Sequence, residues 1–432
     1  MRLGLLDPST STPYAQLGAE SVDSAAHRAL ALTAARESIV LLKNARGLLP
    51  LRAGARIAFL GPHANSTQAL LSNYHGDNVL VNSHSPLAVA LARGLGVTYA
   101  RGCNICDVVP GGFPNMPCTK ADDTSGIAAA AAAAAAADVA VLFVGSDQTT
   151  EAENFDRNGL GLAGVQEQLV EAVLAAQPAT VVVFISGGIV SSPTAMAGAG
   201  AALQAHYGGE LGGDAIVDAL TGAFSPAGKL PLTMYYNNIT ARDIRDVDLA
   251  SAGGITHAWF DGPVLLPFGW GLSFTSFSYR ALFAPAARGE HGSGGLLPPG
   301  PVAATAAGGG GTWRISRSAF PDLAAARATV VASVTNEGGG AGMASDCVVL
   351  VFVVREGGSS GEAFPRQALA AFARLRLVSP RETREHRFEL DAARAFGAFR
   401  GADGAVAPPR GRYALRVGDV EAPALLSVEV VA

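Results

Sequence analysis

Apolar positions along this chain follow one rhythm up to about residue 280 and another beyond it. From Asp23 to Lys43 the positions Ala26, Leu30 and Ala34, with Ile39 and Leu42 further on, trace one stripe of a helix. The turn Asn44-Ala45-Arg46-Gly47 ends it. Arg56 to Pro62 is a short apolar run stopped by Gly61-Pro62, the pattern of a buried strand and its exit loop. The alternation then continues with a helix over Ser85 to Leu95, a strand over Val97 to Ala100 and a helix over Ile127 to Ala137, where alanine has the best propensity. Val139 to Val144 reads as a strand, Gly164 to Gln177 as a helix and Thr180 to Ile185 as a strongly apolar strand. Ala201 to Ala205 is a short apolar run leading to Tyr207-Gly208-Gly209-Glu210, and Gly213 to Gly222 reads as another helix.

Strands bounded by glycine and separated by helices predict an α/β fold, a three-layer α/β/α sandwich with a mainly parallel sheet. Ligands of such sheets bind beyond the C-terminal strand ends, so the loops after Leu60, Val144 and Ile185 share one rim. The final third changes character. A Gly/Pro-rich stretch is followed by strand patterns at Ala328 to Asn336, Cys347 to Val354, Arg384 to Leu390 and Arg412 to Val417, with Val430 closing a last strand. Short strands without long helices between them predict a small β-sandwich. The expected division is 1–20 as a remnant of a preceding domain and linker, 21–280 as the α/β domain, 281–312 as a Gly/Pro-rich linker or insertion, and 313–432 as the β-sandwich.

Composition narrows the function classes. Of 432 residues, 49% are hydrophobic, which is ample for packed cores, and a charged fraction of 16% with net charge -5 leaves no basic surface for nucleic acid. No membrane partner is expected, because Ala128 to Ala137 is too short an apolar run to span a bilayer. Met1 to Leu6 runs at once into Asp7-Pro8-Ser9, so no signal peptide is legible. Cys103, Cys106, Cys118 and Cys347 leave three options: a disulfide in the glycine-rich loop, which is preferred, free thiols, or a metal site that lacks an obvious fourth ligand. A disulfide would indicate a secreted or lumenal setting. The glycines at 208–209 and 212–213 do not form a phosphate-cradling fingerprint, which disfavours a nucleotide-binding protein.

The loop Gly145-Ser146-Asp147-Gln148-Thr149-Thr150-Glu151-Ala152-Glu153-Asn154-Phe155-Asp156-Arg157 carries the candidate chemistry, because it leaves a strand at the rim. Its carboxylates could simply solvate the surface. Alternatively one could protonate the departing oxygen of a glycosidic bond, which takes an acid on one side of the sugar and a second carboxylate opposite. Arg157 is suited to pairing with a carboxylate and holding the loop, since its pKa is too high for proton transfer.

Glu151-Ala152-Glu153 followed by Asp156-Arg157 and Gly164-x-Gln166 resembles the acid/base loop of glycoside hydrolase family 3, in its β-xylosidase and α-arabinofuranosidase branch. Further segments agree in order: Arg36-Glu37-Ser38-Ile39-Val40-Leu41-Leu42-Lys43-Asn44 with Leu49-Pro50-Leu51, Asn73-Tyr74-His75-Gly76, Tyr207-Gly208-Gly209-Glu210, and Pro226-Ala227-Gly228-Lys229-Leu230-Pro231. Leu266-Pro267-Phe268-Gly269-Trp270-Gly271 is similar to that family's junction with a fibronectin type III-like domain, although Trp270 stands where a histidine is usual.

The resemblance implies an exo-acting retaining glycosidase with no cofactor and no metal, acting on an oligosaccharide or aryl glycoside. Glu153 matches the acid/base position, with Glu151 as the alternative. The nucleophilic aspartate belongs to a barrel domain that no part of these residues matches, so the chain alone is expected to be inactive. The complete protein is expected to be secreted or extracellular. Lys43, Asn44, His63, Tyr74 and His75 are candidate sugar contacts; Asp156, Arg157 and Glu210 are candidate supports of the site. The alternative function is a non-catalytic carbohydrate-binding or structural module.

Overall fold

The computed structural model describes residues 6–8, 14, 17–72, 74, 84–105, 123–153, 157–284, 304–305, 312–316, 327–339, 342–356, 365–396, 410–420 and 423–431. Most of the expected 281–312 linker lies outside the described residues, as do His75, Asp156, Cys106 and Cys118. The first domain runs α1 (Ala25–Ser38), β1 (Val40–Asn44), β2 (Ile57–Leu60), α2 (Pro86–Ala92), β3 (Val97–Ala100), α3 (Ile127–Ala136), β4 (Val139–Gly145), α4 (Gln166–Ala176), β5 (Thr180–Ile185), α5 (Pro193–Gly198), β6 (Ala201–Gln204) and α6 (Gly212–Thr221). A small hairpin, β7 (Met234–Tyr235) with β8 (Val264–Leu266), and the short α7 (Thr256–Trp259) complete it.

The sheet order is β1-β6-β5-β4-β2-β3; five strands are parallel and β1 is an antiparallel edge. Alternate residues of each strand go to opposite faces. Phe59, Val141, Phe143, Val183 and Leu203 pack with α2 and α6, whereas Leu60, Leu142, Val144, Val182 and Phe184 pack with α3, α4 and α5. Strands buried on both sides need continuous apolar runs, which is what Val139 to Val144 and Thr180 to Ile185 supply.

One expectation is corrected here. The helical stripe does not extend to Lys43, because α1 ends at Ser38 and Val40–Asn44 is a strand. Pairing with β6, from Val40 with Gln204 to Asn44 with Ala201, decides the matter.

The second domain is a mostly antiparallel β-sandwich. Its strands are β9 (Phe277–Phe283), β10 (Ala304–Thr305), β11 (Thr312–Ser316), β12 (Arg327–Asn336), β13 (Ser345–Arg355), β14 (Gln367–Val378), β15 (Thr383–Asp391), β16 (Gly411–Gly418) and β17 (Ala424–Val431), with the short α8 (Ala392–Phe396). One sheet has the order β10-β11-β17-β16-β13-β14, with β11 and β17 parallel, and the other β15-β12-β9. Trp313, Tyr413, Phe396 and the inward residues of β12, β13 and β16 fill the space between them.

The two domains are tied together. Arg374 of β14 donates to the Glu37 carbonyl at 3.0 Å and pairs with Asp346 at 3.1 Å. Lys229 bonds the Gly271 carbonyl at 2.6 Å and pairs with Asp419. Cys103 and Cys347 are buried free thiols, each pushed up to about 12 by burial, so the preferred disulfide is not formed at Cys103.

Candidate active site

β4 and β5 run in register to their ends, with Gly145 opposite Ile185, so the loops that follow leave the sheet side by side. Gly145 has φ +147°, and a Cβ there would lie 1.8 Å from the Ile185 carbonyl oxygen; only glycine lets the chain turn this close to its neighbour. Gln166, buried at the start of α4, then pins the turn from behind. Its amide accepts from the Gly145 N–H at 2.9 Å and donates to the Gly145 carbonyl at 2.8 Å. Gln148 reaches across the rim and donates to the carbonyls of Leu71 at 2.9 Å and Ser72 at 3.2 Å. Asp147 closes a local turn by accepting from the Thr149 N–H at 2.9 Å.

The two candidate acids have different surroundings. Glu151 is mostly buried, at 17% side-chain exposure. Its carboxylate accepts from the N–H groups of Gly187 at 2.6 Å and Gly188 at 3.3 Å, accepts the Tyr207 hydroxyl, and pairs with Arg157 Nε at 3.3 Å. Arg157 in turn donates to the Ile189 carbonyl at 2.8 Å. Burial first, and then the Glu151 carboxylate, push the Tyr207 hydroxyl well above its ordinary range, so it remains a donor. Glu153, two residues on, is exposed and has no hydrogen-bond or ion-pair partner among the described residues. Of the two carboxylates, Glu153 is the more open to solvent.

The other candidates separate by position. His63 follows β2 at the rim and is fully buried; neither ring nitrogen completes a hydrogen bond, although the Val144 carbonyl lies close enough to favour the protonated ring. Burial outweighs that carbonyl and the nearby Asp147 and Glu151 charges, and lowers His63 to about 4. Tyr74 is exposed, and Glu210 is half-buried within electrostatic reach of Arg28.

Lys43 and Asn44 are not brought to this rim. Because β1 is antiparallel, its C-terminal end lies beside the start of β6, at the opposite end of the sheet. Lys43 donates to the carbonyls of Met196 at 2.8 Å and Ala197 at 2.9 Å, and burial lowers its pKa. Asn44 exchanges two hydrogen bonds of 2.9 Å with the backbone of Leu49. Both side chains are therefore engaged by backbone groups at the far end of the sheet. Among the described residues no three His, Cys, Asp or Glu side chains gather as a metal site.

The roles of Gly187, Gly188, Tyr207 and Gln166 were not legible from spacing. Their signal was the pair of glycines just beyond β5 and Ser186, whose missing side chains admit the Glu151 and Arg157 groups: a Cβ on Gly188 would lie 2.7 Å from Arg157 Nη2.

Residues 39–274, which hold this whole rim, match the glycosyl hydrolase family 3 C-terminal domain. The chain belongs to glycosyl hydrolase family 3. Residues 347–420 match a fibronectin type III-like domain, in agreement with the β-sandwich. The family 3 chain is 34% identical over 433 residues to exo-1,4-beta-xylosidase bxlB of Emericella nidulans, covering 96% of this chain and 50% of that protein. It is 36% identical over 299 residues to beta-xylosidase/alpha-L-arabinofuranosidase 2 of Medicago sativa subsp. varia, covering 66% of this chain and 36% of that one. Among solved structures, a GH3 exo-beta-xylosidase (XlnD) bound to a xylobiose aziridine probe superposes with TM-score 0.78 at 25% identity, over 98% of this chain and 51% of that one. The Bifidobacterium adolescentis GH3 beta-glucosidase gives 0.72 at 26% identity, over 96% and 55%. The chain spans about half the length of the curated xylosidases it matches.

Proposed function

We propose that this chain contributes the acid/base half of a retaining exo-β-xylosidase-type active site, with Glu153 as the proton-transferring carboxylate. A barrel domain supplies the nucleophilic aspartate on the opposite side of the sugar. In the first step the aspartate attacks the anomeric carbon while Glu153 protonates the leaving oxygen. In the second, Glu153 takes a proton from water as the covalent intermediate is hydrolysed. The residues of this chain provide no cofactor chemistry in this reading. The observation that carries it is the exposure of Glu153 on the loop that leaves β4 at the rim, in a chain of family 3. The names of the relatives favour xylosides, with arabinosides second. Secretion of the complete protein is part of the same proposal and is checked by locating the activity in cell fractions.

The test uses the complete natural polypeptide that contains these residues and an aryl β-xyloside with a poor leaving group. Glu153→Gln is expected to lower kcat/KM about 10²- to 10⁴-fold, the usual contribution of a positioned acid/base. The first sugar released should keep its β configuration by NMR. Full activity in Glu153→Gln, or an inverted product, would remove this reading.

A further inference from the structure

We infer that Glu151 is the positioning residue of the acid/base loop and does not itself transfer the proton. This rests on the assignment of Glu153 made above. A carboxylate offers about four acceptor sites. Those of Glu151 meet four donors of the protein: two backbone N–H groups after β5, the Tyr207 hydroxyl after β6, and Arg157 at the far end of its own loop. One side chain therefore joins three neighbouring stretches of the rim. The receiving turn is built to admit it: a Cβ on Gly187 would come within 2.8 Å of the Tyr207 ring and 3.1 Å of Glu151 Oε1. Both oxygens of Glu151 are turned toward these internal groups, whereas Glu153 leaves the anchored turn two residues later and is exposed. Charge-assisted hydrogen bonds of this kind are the strong ones, and they hold the stretch that determines where Glu153 starts. The two glutamates of the Glu-x-Glu motif thus divide the work, the first fixing the loop and the second reaching the substrate.

The complete natural polypeptide tests this with Glu151→Ala, Glu151→Gln, Tyr207→Phe, Glu153→Ala and the double Glu151→Ala/Glu153→Ala variant. Each is assayed on aryl β-xylosides with good and poor leaving groups, with and without azide as an external nucleophile. A displaced acid weakens cleavage mainly where the leaving group needs a proton, so Glu151→Ala should lose about 10²-fold on poor leaving groups and far less on activated ones. Glu151→Gln keeps an oxygen that accepts from Gly187 and Tyr207 and should stay within about tenfold of wild type, which an acid/base glutamate would not tolerate. The double variant should be no slower than Glu153→Ala, because Glu151 acts only through Glu153. Azide should restore turnover in Glu153→Ala and not in Glu151→Ala.

Hydrogen exchange provides a readout free of turnover. Amide protection at Gly187 and over 145–153 should fall in Glu151→Ala and Tyr207→Phe and persist in Glu153→Ala. Azide rescue of Glu151→Ala, together with a Glu151→Gln as slow as Glu151→Ala, would overturn the inference, as would unchanged exchange in Glu151→Ala. If the exchange result holds while Glu153→Gln remains fully active, Glu151 is still the anchor and only the acid/base assignment has failed. Should Glu151→Ala not fold, Glu151→Gln and Tyr207→Phe carry the comparison.

Discussion

His63 carries an ionisable ring into a fully buried position within electrostatic reach of Asp147 and Glu151. The folded protein holds it neutral, since burial lowers its pKa from 6.5 to about 4. The sign follows from proton counting. Between those two values the unfolded chain binds the proton and the folded one does not, so this contribution is fully present above pH 6.5 and is lost as pH falls toward 4. At 1.36 kcal/mol per unit it is worth about 3 kcal/mol. Denaturant unfolding measured from pH 7 to pH 4 should show a steep loss of stability that is shallower in His63→Leu by about that amount. Equal slopes in the two proteins would show that the ring is not held neutral. At the same scale, the distinction between Glu151 and Glu153 depends on partners and exposure. Two identical residues two positions apart look alike in the sequence, and the Gly187–Gly188 turn, Tyr207 and Arg157 separate them.

Among the elements, β4 and the loop after it depend on one side chain in α4. Gln166 satisfies both the N–H and the carbonyl of Gly145, and all of these groups are buried. Replacing it with leucine preserves bulk and leaves two backbone groups without partners, each costing about 1–3 kcal/mol. Gln166→Leu is expected to lower the unfolding free energy by about 2–4 kcal/mol and to raise hydrogen exchange at 145–153. A midpoint unchanged from wild type in denaturant would refute it. The parallel strands were legible because a buried central strand must be apolar throughout, and Val139 to Val144 and Thr180 to Ile185 are. β1 and β14 were not. Val40–Asn44 continues the apolar spacing of α1 and becomes a strand through its pairing with β6. Gln367–Val378 is rich in Ala, Leu and Arg, residues that favour helix, and is extended because β13 lies beside it along almost its whole length.

For the whole molecule, Trp270 is a joint between the domains. It packs against the α/β core and also against the cluster of Leu350, Phe352 and Val420 in the sandwich, and its indole N–H donates to the Leu42 carbonyl at 2.9 Å. Trp270 thus donates one hydrogen bond into the α/β domain while adding apolar contact to both sides. Trp270→Ala should destabilise the protein by about 2–4 kcal/mol, at the lower end for a large aromatic because the side chain is only partly buried. Calorimetry should then resolve two transitions in place of one as the domains uncouple. A single transition with an unchanged midpoint would argue that the Arg374 and Lys229 contacts suffice by themselves.

The sequence by itself determined most of the elements, the division into an α/β domain and a β-sandwich, and the loop that leaves β4 at the rim. These follow from local rules: burial sets the apolar period of each element, and glycines mark where each strand ends. It also supported membership of family 3 through ordered motifs spread along the chain, which the match over residues 39–274 bears out. Where each motif residue sits and what it touches was decided only by tertiary structure. Lys43 and Asn44 lie in a family motif, yet an antiparallel edge strand carries them to the end of the sheet opposite Glu151. Glu151 and Glu153 share one motif, yet the neighbouring turn buries the first and leaves the second open. Partners that lie 30 to 60 residues away in the chain are brought together by strand register, and register is a property of the folded sheet.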